Sequence, residues 1–225
     1  MHPWCRTRAK SSTATPPGTL GEAIDAPPTD RKRAHIVTQP RIFEPEGRAV
    51  PFVDEGEGPV TLVLVTDRSL EADGLGVISH YLAEEAGFRV VRIGSRADAE
   101  GLTAGDRAAD AAAVIEDLDI EDTWIGGHGH GSTIARIFAV EHPERVNGLL
   151  MLGVEDEQIP LAPGIPVLII QAENDDVTPA ANAEALQATA PERATITRIP
   201  EADHYFVATH PIEAAVVIEE YLDWD

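Results

Sequence analysis

The segment Val60-Thr61-Leu62-Val63-Leu64-Val65 is a continuous, β-branched apolar run. A strand that alternates apolar and polar residues has one dry face. A strand without alternation must be buried on both faces, which is the situation inside a parallel sheet covered by helices on each side. Similar runs recur at Phe88–Ile93, Asp122–Gly126, Val146–Leu152, Pro166–Ala172 and Ala194–Ile199. Two shorter strand-like pieces precede them, near His35–Phe43 and Arg48–Val53. Segments with helical spacing lie between most of these runs. Leu75, Ile78, Tyr81 and Leu82 can share one helix face, and Ala108, Ala112, Ile115 and Leu118 a second. Ile134, Ile137, Phe138 and Val140 form a third, and Ala214, Val217, Ile218 and Tyr221 the last. Alternating strand and helix over this length predicts an α/β fold with a mostly parallel, twisted sheet and helices on both faces. The sequence has no internal repeat.

Residues 1–34 break from this rhythm. They are rich in Ser, Thr, Pro and Ala and poor in large apolar side chains, so they bury too little to offset the entropy of ordering. They are expected to form a flexible tail, or alternatively a docking arm, ahead of one domain over residues 35–225. The 225 residues carry 17 basic and 39 acidic side chains, a formal charge of −22. That field repels nucleic acid and anionic lipid, so neither is expected as a partner. The only lysines are Lys10 and Lys32. High cellular salt or a GC-rich genome would each account for such a composition. Cys5 is the single cysteine, which excludes an internal disulfide and a cysteine metal cluster. No apolar run has the length of a membrane span. No apolar stretch follows Arg6, Arg8 and Lys10 as it would in a secretory signal, so a cytoplasmic location is expected.

The chemistry concentrates in three places. Trp124-Ile125-Gly126-Gly127-His128-Gly129-His130-Gly131-Ser132 ends a strand and opens a helix. Sharp strand-to-helix turns need residues without bulk on either side of the centre, and Gly127 and Gly131 supply them. A nucleophile elbow has the spacing Gly-x-Ser-x-Gly, and this chain reads Gly127-His128-Gly129-His130-Gly131. The helix is expected to run on through Ser132 to Glu-His-Pro-Glu-Arg-Val at 141–146. The second place is Gln171-Ala172-Glu173-Asn174-Asp175-Asp176-Val177-Thr178-Pro179, where Pro179 suits the start of a helix. The third is Ile199-Pro200-Glu201-Ala202-Asp203-His204-Tyr205-Phe206.

Gly127 to Gly153, with its elbow, helix and following strand, resembles the α/β-hydrolase family. The resemblance extends over about Val50 to Leu222. It implies that Asp175 stands where the family has its triad acid and His204 where it has its triad histidine, in the family's order of elbow, acid, histidine. The ordinary reading of each residue alone is a turn aspartate and a polar surface histidine. The departures bear on activity. Gly129 stands at the nucleophile position and has no side chain to form an acyl-enzyme. Ser132 is the nearest hydroxyl, and its place in the helix's first turn fits a local hydrogen bond. Where the family carries His-Gly and then an oxyanion-binding N–H, this chain has Thr66-Asp67-Arg68. Asp67 there opposes a developing negative charge, and Arg68 either neutralises it, binds an anionic ligand, or is one half of a solvated loop pair. Gly153–Ile165, with Pro160, Pro163 and Gly164, is a loop too short for the cap domain that many family members insert.

A retained His–Asp pair is still a general base. It predicts proton abstraction, or hydrolysis by direct water attack, on a small molecule, and not the mechanism of a serine esterase or lipase. The alternative is a non-catalytic, hydrolase-like binding module for a ligand or a protein. No cofactor is expected. His128 and His130 raise zinc as a third reading, but side chains two apart on a tight turn diverge, and the family's histidine at the position of His128 has no metal role. The expected site is therefore His204 and Asp175 around Gly129, with His128, His130, Thr66, Asp67 and Arg68 near the pocket. The sequence names neither the ligand nor an oligomeric state.

Overall fold

A computed structural model describes residues 39–223. The expected tail over 1–34 and the first part of the His35–Phe43 segment lie outside the described residues. Eight strands form one sheet: β1 (Arg41–Phe43), β2 (Val50–Glu55), β3 (Thr61–Val65), β4 (Arg89–Ile93), β5 (Thr123–His128), β6 (Val146–Leu152), β7 (Val167–Ala172) and β8 (Ala194–Ile199). Their order is β1-β2-β4-β3-β5-β6-β7-β8. β1 and β2 pair antiparallel, as do β2 and β4, and every later pairing is parallel. The helices are α1 (Gly76–Glu84), α2 (Ala104–Asp117), α3 (His130–Glu141), α4 (Ala180–Gln187), α5 (Phe206–Thr209) and α6 (Pro211–Leu222).

The two-sided burial read from the apolar runs is visible residue by residue. Strand side chains alternate between faces. Val63, Val65, Leu149, Met151, Val167 and Ile169 enter one core with α2, α3 and α4. Leu62, Leu64, Leu150, Leu152, Leu168 and Ile170 enter the other with α1, α5 and α6. Parallel strands place all their carboxyl ends on one edge of the sheet, and the loops leaving β3, β5, β6, β7 and β8 gather there.

Several expectations shift in detail. Val140 is exposed rather than buried, and the inward face of α3 is Ile134, Ala135, Phe138 and Ala139. The helix does not run through to 146. Pro143 drives the preceding His142 out of helical geometry (φ −131°, ψ 53°), α3 stops at Glu141, and Pro143–Arg145 form one 3-10 turn. On α2 the buried stripe passes through Ala108, Ala111, Val114 and Ile115, with Ala112 half-buried. Pro179 caps α4 instead of opening it. Among the described residues, 153–166 contain no helix or strand, and no cap domain is inserted. No described helix is long and apolar enough to cross a membrane.

Candidate active site

The elbow is built from backbone contacts that only glycine permits. A Cβ on Gly131 would stand 2.3 Å from the Val65 carbonyl oxygen, and one on Gly127 would stand 2.4 Å from the backbone of Gly131. The strand-to-helix turn can therefore press against the end of β3. Its central residue, Gly129, has φ +53° and ψ −116°, a backbone region that taxes any residue bearing a Cβ. Its N–H donates to the Leu152 carbonyl (2.9 Å), which ties the turn to the neighbouring strand. A Cβ at Gly129 would meet His204 Cε1 at 3.4 Å and Nε2 at 3.6 Å, ordinary van der Waals contact. The Nε2 edge of the imidazole thus faces the position that a nucleophilic side chain would fill.

Behind the imidazole, His204 Nδ1 lies 3.2 and 3.1 Å from Asp175 Oδ1 and Oδ2. The Asp175 side chain is wholly buried, and that of His204 is 12% exposed. Burial alone would raise the Asp175 carboxyl's pKa. The Thr178 hydroxyl and N–H, with His204, outweigh it and hold the carboxyl below its ordinary range. The Thr178 hydroxyl donates to Oδ2 (2.6 Å), and the N–H groups of Val177 and Thr178 donate to Oδ1 (2.9 and 2.7 Å). Gln171 Nε2 donates to the Thr178 carbonyl (2.8 Å) and so fixes the far side of this turn. Gly153 (φ +76°) passes so close that a Cβ would stand 2.6 Å from Thr178 Oγ1. The expected pair therefore comes together, and Thr178, Gln171 and Gly153 hold it. Those three had no part in the site as read from the sequence. The Asp-x-x-Thr spacing is the one local signal, since it allows a side-chain-to-backbone turn.

His128 ends β5 beside this pair. Its Nε2–H donates to the His204 carbonyl (2.9 Å), and the two rings are 4.6 Å apart. Burial, reinforced by the neighbouring His204, depresses its pKa to about 4, so it stays neutral next to the His204 imidazole. His130 turns away from His128, toward the loop after β6: its Nδ1 is 2.9 Å from Glu155 Oε2. The two histidines diverge, and among the described residues no cluster of His, Cys, Asp and Glu has metal-binding geometry.

The loop after β3 departs from an oxyanion-binding loop. Thr66 is buried, its N–H bonded to the Ile93 carbonyl (3.0 Å) and its own carbonyl accepting from Arg107 Nη2 (2.5 Å). Its hydroxyl accepts the Arg68 N–H (3.1 Å), the donor that the resemblance assigns to the oxyanion. Asp67 and Arg68 are largely solvated and 4.0 Å apart, a loose surface pair. The Asp67 carboxylate still acts through space on Arg107 and His128. Ser132 is fully buried and donates to the Gly127 carbonyl (2.6 Å), so it braces the elbow from beneath and is not a displaced nucleophile.

Beyond Glu155 a cleft of about 420 Å³ opens, lined among others by Val154, Ile159 and Leu186. One wall is the charged and polar stretch 154–160 of the loop after β6. The buried Arg136 guanidinium holds that wall by donating to the carbonyls of Glu157 and Ile159.

No protein-family model and no curated protein matches this sequence. Solved structures do match. An α/β-hydrolase enzyme from the metagenome of Mar Chica lagoon sediments, Morocco, superposes with TM-score 0.68 at 18% identity, covering 82% of this chain and 98% of its own. An α/β serine hydrolase homologue from Coxiella burnetii gives 0.68 at 18% identity, over 84% and 100%. E-2-(acetamidomethylene)succinate hydrolase gives 0.69 at 16% identity, over 83% and 99%. The chain has the α/β-hydrolase fold, and among the described residues no cap domain is inserted.

Proposed function

We propose that the protein is a hydrolase without a covalent nucleophile. His204, oriented by Asp175, acts as a general base on a water molecule or an acidic proton of a small-molecule substrate held above Gly129. One observation carries this: His204 presents Nε2 to the Gly129 position while Nδ1 is committed to a buried carboxylate. A water occupying the place of a serine oxygen would be within reach of Nε2 and of the His130 and Gly131 N–H groups, the first two of α3, which a helix leaves without internal partners. Asp175 fixes the tautomer and stabilises the imidazolium as it forms. His128, held neutral, adds no competing positive charge. The hydrolases and esterases among the structural neighbours support the reaction class.

A second reading, a non-catalytic ligand-binding module, is favoured by the Thr66–Arg68 bond, which occupies a donor that acyl transfer uses. Turnover of a panel of small esters and lactones separates the two. Under the general-base proposal, His204→Ala lowers turnover by about 10²–10⁴-fold. A panel that is turned over equally by His204→Ala, or not turned over at all while ligand binding depends on His204, favours the binding module.

A further inference from the structure

The residue after Gly129 is part of a second assembly with the same construction as the first. His130 opens α3, and its Nδ1–H donates to Glu155 Oε2 (2.9 Å). The Thr133 hydroxyl, one turn along α3, donates to the same oxygen (2.6 Å). Behind His204, likewise, a threonine hydroxyl braces the carboxylate that receives the Nδ1–H. The chain thus places two threonine-braced histidine–carboxylate pairs around one glycine. Glu155 is not carried on a loose loop. Gly153 N–H donates to the Ile170 carbonyl (2.9 Å), and Asn182 Nδ2 donates to the Val154 carbonyl (3.0 Å).

We propose that His130, held by Glu155, is the proton donor that complements the His204 base. This rests on the general-base function proposed above. The Glu155 carboxylate, itself braced by Thr133, fixes the orientation of the His130 ring through Nδ1. With Nδ1 engaged, Nε2 is the nitrogen left to exchange a proton with a ligand. The His130 side chain is 42% exposed, so it can reload from solvent. A single histidine that has just taken the water's proton must redirect it from the attacking oxygen to the departing one. A second imidazole, already loaded, removes that requirement.

The step balances as follows. A water O–H bond breaks, the proton goes to His204 Nε2, and the electron pair forms the new C–O bond at the acyl carbon. The bond to the leaving oxygen then breaks, and that oxygen takes the proton from His130 Nε2. Water enters, an acid and an alcohol leave, and each imidazole returns to its starting state by exchanging one proton with solvent. The substrate class this pair serves is the alkyl ester or lactone, whose alkoxide leaving group needs a proton. An aryl ester with an acidic phenol does not.

The test compares ethyl acetate with 4-nitrophenyl acetate as substrates of the full chain, before and after His130→Gln. Glu155→Gln is a second variant that leaves the elbow untouched. The expected result is a split: kcat/KM for ethyl acetate falls about 10²-fold further than for 4-nitrophenyl acetate, the size of a lost general acid. A merely structural role would lower both rates together, and that outcome, or no change in either, overturns the donor role while leaving His204 as base. Failure of His204→Ala to lower either rate, or no turnover of either ester by the unsubstituted protein, overturns the general-base function and the donor role together.

Discussion

Gly129→Ser probes both the strain of the elbow and the readiness of the dyad. At φ +53° and ψ −116°, glycine is free of the penalty that a Cβ incurs. A serine there costs about 1–3 kcal/mol in backbone strain. For a domain of this size each kcal/mol lowers Tm by roughly 2–4 °C, so thermal unfolding should shift down by about 2–12 °C. The new Cβ meets no hard obstacle, since its nearest neighbours are His204 Cε1 at 3.4 Å and Nε2 at 3.6 Å. The hydroxyl is therefore carried to within hydrogen-bond reach of a base already backed by Asp175. The variant should react with a fluorophosphonate probe at the introduced serine and give an acyl-enzyme burst with 4-nitrophenyl acetate. Its turnover should remain about 10²–10³-fold below that of a complete site, because the Arg68 N–H, which stands where the resemblance implies an oxyanion donor, is engaged by Thr66. Thermal unfolding, probe labelling and stopped-flow kinetics read the three effects separately. Unchanged stability would refute the assigned backbone geometry. A folded variant that neither labels nor bursts would refute the claim that His204 and Asp175 are assembled for proton transfer.

Two further outcomes follow from the surroundings of the site. Ser132→Ala leaves the buried Gly127 carbonyl without its 2.6 Å partner and should cost about 1–3 kcal/mol with ester turnover unchanged, read by denaturant unfolding beside the ester assay. Lost turnover at full stability would instead make Ser132 a reacting group. His128 has a folded pKa of about 4 against an ordinary 6.5, so between these values the unfolded chain binds the extra proton. Stability should therefore fall as pH drops below about 6.5, by an amount approaching about 3 kcal/mol near pH 4, and His128→Asn should flatten that slope in urea midpoints measured from pH 7.5 to 4.5. An unaltered slope would show that His128 is not the group responsible.

The sheet was legible because its code is local. Leu62–Val65 of β3, Leu149–Leu152 of β6 and Val167–Ile170 of β7 are apolar without alternation, and alternate residues enter opposite cores, so composition and period alone imply two covered faces. The elbow was legible because Gly127, Gly129 and Gly131 sit at fixed spacing. Asp175 and His204 gained meaning only from their order relative to it. Contacts between distant segments were not legible. Glu155 reaches His130 and Thr133 from a loop with no regular structure, and nothing local in Gly153-Val154-Glu155 shows it. Gly153 reads as a strand-ending glycine until its closeness to Thr178 is known. The end of α3 was misread because Pro143 acts through the conformation of His142, a backbone effect that outweighs the helical composition on both sides. The four-residue α5 is too short to show a period.

The central claim is that chemistry at this elbow proceeds without a covalent intermediate. Rapid-quench intact-mass analysis during hydrolysis of a small ester, paired with the same reaction in His204→Ala, tests it most directly. The account predicts that no acyl adduct appears at any time, that product forms without a burst, and that His204→Ala removes about 10²-fold or more of the rate. A transient mass increase equal to the acyl group, or turnover that survives loss of the imidazole, would contradict it.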